Sequence, residues 1–362
     1  MGRIGNDRRD SSVFCGAGML SVRCAMCVQL MAVLLAFAAP SGAQERMQVQ
    51  QAATTELGTS DWLLRMHKAS RRRAYMGTLV VSAGEGISSS RIWHVCDGEN
   101  QIERVESLSG ERRTTFRRND EVITFVPDSK TAILERRESL GLFPSLLILK
   151  STQTDIDKFY VARRMGSERV AGFDADVVQF RPTDDLRFGY RAWSEKRTGL
   201  ILKLQFVNLA GKLLEQVAFS ELQLDAPVNM DKLADMMADT RGYRLISPEV
   251  HRTSQEAEGW TMAGEIPGFK AISCHRRNGA SKQERNPATV QCVFSDGLAT
   301  VSVFIEPYEP GQHVHEGAVS QGATHALFLR KDVAGGSWWL SVVGEVPAGT
   351  LDLFAQQLQR LP

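Results

Sequence analysis

Two histidines in the C-terminal third of the sequence have a spacing that suits a metal ion. His313 and His315 flank Val314, and residues two apart in a strand point to the same face, where two imidazoles can share a cation. Glu309 and Glu316 are the nearest carboxylates, and no other Cys, His or Asp cluster completes a ligand set. The segment also has the glycine and proline content of a loop. We therefore expect an exposed polar loop, with no metal and no cofactor.

The six cysteines offer two kinds of thiol chemistry. Cys24 and Cys27 form a C-x-x-C pair, but they precede an apolar run that we expect to be removed with them. Cys274 and Cys292 lie in two strand-like runs, and a disulfide between them would close a loop of roughly 18 residues and stabilise the fold by ~3 kcal/mol. Two buried free thiols are the alternative. Cys96 is left over and is interpreted as a packed thiol.

Motifs of common hydrolases and nucleotide-dependent enzymes are missing from the sequence. It contains no H-E-x-x-H, no G-x-S-x-G and no Walker loop. Scattered serines, histidines and aspartates single out no nucleophile. We assign no catalytic residue and expect a protein that is not an enzyme.

The N-terminus indicates export. The run Val28–Ala39 is the longest apolar stretch, and it is too short for a membrane-spanning helix, which needs roughly 20 residues. Arg23 precedes the run, and Ser41 and Ala43 stand at the −3 and −1 positions of a small-residue cleavage site. This layout predicts a secretory signal peptide over residues 1–43. A signal anchor that stays attached is the alternative.

Removal of residues 1–43 changes the charge balance little. The whole chain has 43 basic and 42 acidic side chains, and 39 and 40 remain, so the mature net charge is −1. Nucleic-acid-binding proteins usually carry a strongly basic face, and this balance does not favour one. The remaining length predicts two domains. Whether Met1 or Met19 is the true start stays open, because a signal beginning at Met19 has a more conventional length.

The first half of the mature chain has the pattern of an antiparallel sheet. A helix comes first, with Trp62, Leu63, Met66 and Ala69 at helical spacing. Its basic triplet Arg71–Arg73 is interpreted as a solvated helix end, and a specific anionic ligand there is the alternative. Short strand-like runs follow, separated by polar turns, which predicts a curved or barrel-like meander. The predicted strands are Tyr75–Ala83, Ser88–Cys96, Gln101–Leu108, Arg112–Arg118, Glu121–Val126, Thr131–Leu134, Tyr160–Met165, Ala175–Arg181, Phe188–Glu195, Leu200–Asn208 and Leu213–Leu224.

One apolar segment interrupts these strands. Residues 140–149 are apolar on nearly all sides, so we interpret them as a lid that covers the sheet, with Leu142 and Phe143 in it. Residues that alternate toward the covered face would line an apolar ligand cavity, whereas Ile201 would face the other way. The candidate lining residues are Leu79, Val81, Ile123, Phe125, Val178, Phe180, Tyr190, Leu202, Leu204 and Phe206. An ordinary filled core is the alternative.

The strand pattern lapses after the first domain, which we place at residues 58–225. We interpret residues 226–250 as an interdomain linker that contains a short helix at Met230–Met237. Residues 251–362 then form a smaller α+β domain with a terminal helix after Pro347. Its predicted strands are Trp260–Cys274, Val290–Phe294, Thr300–Glu306, Ala323–Arg330 and Trp338–Val343.

Runs in both domains resemble the MucB/RseB family. Their order and spacing over about residues 60–360 carry the resemblance. The runs are Trp62–Met66, Tyr75–Thr78, Arg169–Pro182, Tyr190–Ser194, Thr198–Leu200, Ile266–Phe269, Phe294–Ala299 and Val301–Glu306.

The resemblance implies a fold and a function. Members of the family are periplasmic, and their large domain is similar to the LolA and LolB lipoprotein carriers, an unclosed antiparallel barrel with helices on its concave side. They bind the periplasmic region of a membrane anti-sigma factor and shield it from an envelope-stress protease, and lipid-like or misplaced envelope components release it. The alternative is a lipid or lipoprotein carrier of the LolA type, although simple carriers end after the barrel. A homo-oligomer is left open.

Overall fold

The computed structural model describes residues 57–98, 100–136, 155–277, 288–333 and 335–362. The predicted signal peptide lies outside the described residues. So does the predicted lid at 140–149, with Leu142 and Phe143. Within the described ranges, no helix combines the length and the apolar character that crossing a bilayer requires.

Over the described residues, the first domain is a twelve-stranded unclosed sheet with three helices. The sheet order is β12-β6-β5-β4-β3-β2-β1-β11-β10-β9-β8-β7, and neighbours are antiparallel except β6 and β12. This arrangement confirms the predicted α+β class and the unclosed sheet. The helices are α1 (Thr59–Arg72), α2 (Ile156–Phe159) and α3 (Met230–Ala238). The strands are β1 (Tyr75–Ala83), β2 (Gly86–Cys96), β3 (Gln101–Ser107), β4 (Thr114–Arg118), β5 (Glu121–Val126), β6 (Thr131–Arg136), β7 (Tyr160–Val170), β8 (Phe173–Pro182), β9 (Gly189–Glu195), β10 (Ile201–Val207), β11 (Leu213–Leu224) and β12 (Arg244–Ile246).

Turn residues and alternation explain these strands. Gly84 (φ +59°) lies in the turn from β1 to β2, and Asn119 (φ +53°) lies in the turn from β4 to β5. Glycine and asparagine adopt this left-handed conformation at low cost. In β2, Ile92 and His94 are buried while Arg91 is exposed, because successive side chains of a strand point to opposite faces.

The main core of the first domain lies between α1 and the sheet. Helix α1 buries Trp62, Leu63 and Met66, and burying a side chain of this size stabilises the fold by roughly 1.5–3 kcal/mol. The hydroxyl of Thr59 fixes the first turn to β7, because it donates to the Tyr160 carbonyl at 2.9 Å. We call this core the α1 cluster. Its larger members include Trp62, Leu63, Met66, Leu79, Val178, Phe180, Tyr190, Ile201, Leu202, Leu204 and Phe206.

A second cluster of the first domain lies under α3. We call it the α3 cluster: Ile102, Phe116, Ile123, Phe125, Ala132, Leu233 and Met237. Helix α3 confirms the short helix predicted from Met230. Residues 226–250 differ from the predicted linker, because α3 packs on the first sheet and β12 pairs with β6. The change of sheet falls between Ile246 and Val250.

The described part of the second domain has a seven-stranded sheet, a two-stranded sheet and one helix. The large sheet has the order β13-β15-β16-β17-β20-β19-β18, and β14 pairs with β21. The predicted strand Trp260–Cys274 is wrong: Pro267 and Gly268 (φ +81°) separate β14 from β15, which lie in different sheets. The elements are β13 (Val250–Thr253), β14 (Trp260–Met262), β15 (Lys270–Arg277), β16 (Thr289–Ser295), β17 (Thr300–Pro307), β18 (Gly317–Gln321), β19 (Thr324–Val333), β20 (Gly336–Gly344), α4 (Ala348–Gln357) and β21 (Leu358–Arg360).

A disulfide joins two neighbouring strands of the second domain. Cys274 of β15 and Cys292 of β16 are directly opposite each other, with their sulfurs 2.02 Å apart. Cys96, at the end of β2, has a free and partly exposed thiol.

Candidate ligand cavity and interdomain joint

The predicted cavity residues that the structure describes fall into two groups. Most belong to the α1 cluster or pack against it: Leu79, Val81, Val178, Phe180, Tyr190, Leu202, Leu204 and Phe206. The other two, Ile123 and Phe125, belong to the α3 cluster. The predicted residues therefore belong to two different cores of one sheet. Alternation along the strands shows which face a residue lies on, but not which of the two cores it joins.

A small cavity lies within the α1 cluster, next to the second domain. Its volume is about 20 Å³, and a site for one water molecule needs roughly 10–15 Å³. Phe180, Tyr190, Leu204 and Phe206 are the predicted residues that line it. Sequence reasoning missed the other lining residues, Leu63, Met66, Ala192, Ile201, Leu298 and Glu345. The cavity is therefore large enough for about one water molecule.

An irregularity in β10 explains one of these differences. The pairing of β10 with β9 shifts register between Ile201 and Lys203. Leu202 therefore has no paired residue on β9. A bulge of this kind changes the alternation of side chains along the strand. Ile201 therefore joins Leu204 in the cavity wall, although strict alternation predicts that it faces the other side.

The cavity wall carries two polar groups, one from each domain. Burial raises the pKa of the Glu345 carboxyl, and the charge of Glu215 adds to the rise. Burial also raises the pKa of Tyr190 well above its usual value, helped by the charges of Asp296 and Glu345. The other described side chains of the cavity wall are apolar.

A buried arginine joins the two domains beside this cavity. Residues 54–362 form one compact unit, and Arg187, in the loop between β8 and β9, is fully buried within it. Its Nη1 lies 2.7 Å from Asp296 Oδ2, and its Nη2 donates to the Pro267 carbonyl at 2.6 Å. Its Nε donates to Asp184 at 2.9 Å, and its guanidinium lies 4.5 Å from the ring centre of Phe159. Arg187 thus bonds to Asp184 of its own domain and to Asp296 and Pro267 of the second domain.

Asp296 is the second-domain half of this joint. Its Oδ1 accepts the backbone N–H groups of Leu298 and Ala299 at 2.8 Å, and its Oδ2 accepts the Tyr160 hydroxyl at 3.2 Å. Burial raises the pKa of the Asp296 carboxyl, and Arg187 and the two N–H groups oppose that rise. Since Leu298 also lines the cavity, one short turn connects the cavity wall with the ion pair.

Two further contacts connect the domains. The backbone N–H of Ala323, in the turn between β18 and β19, donates to Glu215 of β11 at 3.2 Å, and Ala323 is buried in the α1 cluster. The Thr350 hydroxyl of α4 donates to the Leu186 carbonyl at 2.8 Å. The turn between β18 and β19 and helix α4 thus each make a hydrogen bond to the first domain.

The outer side of α1 borders an open basic groove of about 740 Å³. Arg73 pairs with both carboxylate oxygens of Asp225, at 2.9 and 3.0 Å. The side chains of Lys68 and Arg72 also line the groove, and they make no hydrogen bond or ion pair with another described residue. Arg71 and Arg72 are exposed, which confirms most of the predicted solvated helix end.

His313 of the histidine pair is held by hydrogen bonds and ring stacking. His313 Nδ1 accepts the Glu309 backbone N–H at 2.9 Å, its Nε2 lies 3.1 Å from Glu306, and its ring stacks on Trp339. His315 is exposed in the same loop. Among the residues that the structure describes, no three His, Cys, Asp or Glu side chains are grouped to hold a metal ion.

The chain matches two family models in order. Residues 58–237 match the MucB/RseB N-terminal domain, and residues 254–359 match the MucB/RseB C-terminal domain.

Curated relatives are similar over most of their length. The AlgU regulatory protein MucB of Pseudomonas aeruginosa is 29% identical over 314 residues, which cover 85% of this chain and 92% of that protein. The sigma-E factor regulatory protein RseB of Haemophilus influenzae is 23% identical over 309 residues, covering 85% and 93%.

Solved structures of MucB complexes are similar to this chain over both domains. A crystal structure of MucB in complex with MucA(peri) aligns with a TM-score of 0.62 at 26% identity, over 84% of this chain and 99% of that chain. The complex structure of Pseudomonas aeruginosa MucA/MucB aligns with a TM-score of 0.64 at 27% identity, with the same coverage.

Proposed function

This chain belongs to the MucB/RseB family, and we propose that it is a periplasmic regulator that binds the periplasmic region of a membrane anti-sigma factor. By holding that region, it would keep the anti-sigma factor from regulated proteolysis and so restrain an envelope-stress response. The predicted signal peptide at 1–43 is the proposed route of export.

One observation carries this proposal. The likeness to MucB, whose solved complex contains MucA(peri), runs through both domains and covers 99% of that chain. A carrier consisting of the barrel alone would match only the first domain. Because the second domain is held to the first by a buried ion pair and by shared core residues, the two present one combined surface to a partner.

We also propose that the cavity of the α1 cluster is the site where an amphiphile acts. The cavity of about 20 Å³ is too small for an acyl chain, so the ligand must displace α1 or the turn that carries Leu298. Displacement of that turn would disturb Asp296, which accepts its backbone N–H groups. A ligand that prefers the displaced state and a partner that prefers the closed state would then weaken each other's binding by the same factor.

The proposed partner is tested by titration calorimetry. Residues 44–362 are titrated, without detergent, with a soluble fragment of the cognate anti-sigma factor's periplasmic region. We expect saturable binding, and we expect the bound fragment to resist the protease that cleaves the free fragment. Absence of binding would refute the regulator and favour the alternative, a lipid or lipoprotein carrier of the LolA type.

The proposed amphiphile site is tested with a variant that makes room. Leu298→Ala enlarges the cavity, so we expect it to bind a fluorescent lysophospholipid several-fold more tightly than the wild type. Leu213→Ala, which truncates an exposed leucine of β11, is the matched control. If the two variants bind the probe alike, the ligand does not enter this cavity.

A further inference from the structure

The two large sheets end in four strands with unequal protection. Unpaired strand edges expose backbone N–H and C=O groups that can pair with another chain, and proteins usually block them with charges, bulges or short length. Within the described residues, the ends are β7 and β12 in the first sheet and β13 and β18 in the second.

Three of these ends carry the usual protection. β7 has a register shift between Arg164 and Gly166, and its four charged side chains are Arg163, Arg164, Glu168 and Arg169. β12 has three residues, one of them Arg244, and β13 has four, with His251 and Arg252.

β18 lacks this protection. Its sequence is Gly-Ala-Val-Ser-Gln, without a charge or a proline, and it pairs with β19 in regular register over its whole length. All five residues are exposed, and Val319 keeps 62% of its surface in solvent.

The outward backbone groups of β18 can be identified. Gly322 and Ala323 form the two-residue turn that joins Gln321 to Thr324, so this closing pair is hydrogen-bonded across the ladder. Hydrogen-bonded pairs alternate along antiparallel strands. The N–H and C=O groups of Ser320 and Ala318 therefore point away from β19.

The turn also fixes this edge in place. Ala323 is fully buried, and its N–H donates to Glu215 of the first domain. Gly322 (φ +60°) lies so close to β1 that an added Cβ would be 2.7 Å from the Cβ of Ala83. An incoming strand would thus meet a preformed edge, which lowers the cost of ordering on binding.

We propose that β18 receives an extended segment of the anti-sigma factor's periplasmic region as an added β-strand. This inference rests on the proposed function and assigns a surface to it. Strand addition uses backbone hydrogen bonds for affinity and alternate side chains for specificity. The exposed Val319 favours an uncharged segment with a β-branched or aromatic residue opposite it.

A second copy of this chain is the less suitable occupant. Pairing of two β18 strands would involve five residues from each copy, whereas a stable interface uses about 20–30 residues a side. An extended segment of a longer partner can continue beyond β18 and gain contacts elsewhere on the molecule.

The test is a proline substitution at an outward position. Ser320→Pro removes an N–H that makes no bond within the sheet, a position where edge strands tolerate proline. Ser320→Ala keeps that N–H and is the matched control. We expect Ser320→Pro to weaken binding of the soluble periplasmic fragment at least tenfold in calorimetry, and Ser320→Ala to change it less than twofold.

A second measurement uses only the wild-type protein, so a folding defect of the variant cannot affect it. In the wild-type protein, the amides of Ala318 and Ser320 should become protected from hydrogen exchange when the fragment binds. If the wild type binds the fragment and these amides stay unprotected, the inference about β18 is overturned and the proposed function remains. If the wild type does not bind it, the proposed function itself fails. Protection that rises with protein concentration in the absence of the fragment would assign β18 to a second copy and also overturn the inference.

Discussion

The α1 cluster and the α3 cluster are two apolar cores of one sheet, each covered by a helix, yet they differ in what surrounds them. The described members of the α3 cluster all come from the first domain. The α1 cluster includes Ala323 of the second domain and contains a cavity that Leu298 and Glu345 help to line. Burial under a helix is therefore common to both clusters and does not distinguish them. The distinguishing feature is a wall shared between domains, beside a buried ion pair.

The largest expected effect is at the ion pair of the interdomain joint. Arg187→Ala leaves Asp296 buried without its cation, which typically costs 3–5 kcal/mol. We expect a loss of about that size in the free energy of unfolding, measured by urea denaturation. Arg163→Ala, on the exposed edge strand β7, should change it by less than about 0.5 kcal/mol. Equal effects of the two variants would show that the joint does not hold the domains.

A matched pair of leucines compares the two clusters directly. Leu63 of α1 and Leu233 of α3 are both buried, and replacing either by alanine should cost about 2–5 kcal/mol in unfolding free energy. Only Leu63 lines the cavity, so only Leu63→Ala should also tighten binding of a fluorescent lysophospholipid. Tighter binding by Leu233→Ala as well would remove the functional distinction between the clusters.

Removal of the disulfide tests whether a loss of stability in the second domain changes ligand binding at the cavity. Replacing Cys274 and Cys292 by alanine opens a loop with a sequence separation of 18, which lowers stability by about 3 kcal/mol on the loop-entropy model. We expect this loss in urea denaturation, with unchanged lysophospholipid binding at low temperature, because neither cysteine lines the cavity. If the folded variant binds the probe differently, residues of the second sheet also influence ligand binding.

The smallest expected effect is a change in pH dependence at Glu345. Its pKa is raised in the fold, so between the unfolded value and the raised value the folded chain keeps a proton that the unfolded chain releases. Stability therefore falls as pH rises through that window. Glu345→Gln should flatten this part of the profile, measured as urea stability over a pH series, whereas Glu316→Gln, in an exposed loop, should not. A Glu345→Gln profile parallel to that of the wild type would contradict the assigned burial.

Several features of the fold could be read from the sequence. The turns around Gly84 and Asn119, the α1 residues at helical spacing and the α3 helix follow from local preferences that act within a few residues. The bulge in β10 could not be predicted, because Ile201 and Leu202 are both apolar and either could be the residue passed over. The short strand β12 was missed because three residues are too few to show alternation.

The interdomain joint was missed for a different reason. Charged residues are rarely fully buried unless they are paired, so the sequence alone gives no reason to expect Arg187 in a core. Its partner Asp296 lies more than one hundred residues away, and only the packing of the two domains brings them together. The available signal was indirect: Asp296 lies in the run Phe294–Ala299, which carries part of the family resemblance.

We propose that the α1 cluster, and not the α3 cluster, couples binding of the ligand to release of the partner. Hydrogen exchange of the mature protein with its anti-sigma fragment, with and without lysophospholipid below its micelle concentration, tests this most directly. We predict that the lipid lowers protection in α1 and in the turn at residues 296–299 and releases the fragment, while α3 stays unchanged. Release of the fragment with α1 still protected, or with α3 deprotected instead, would contradict the account.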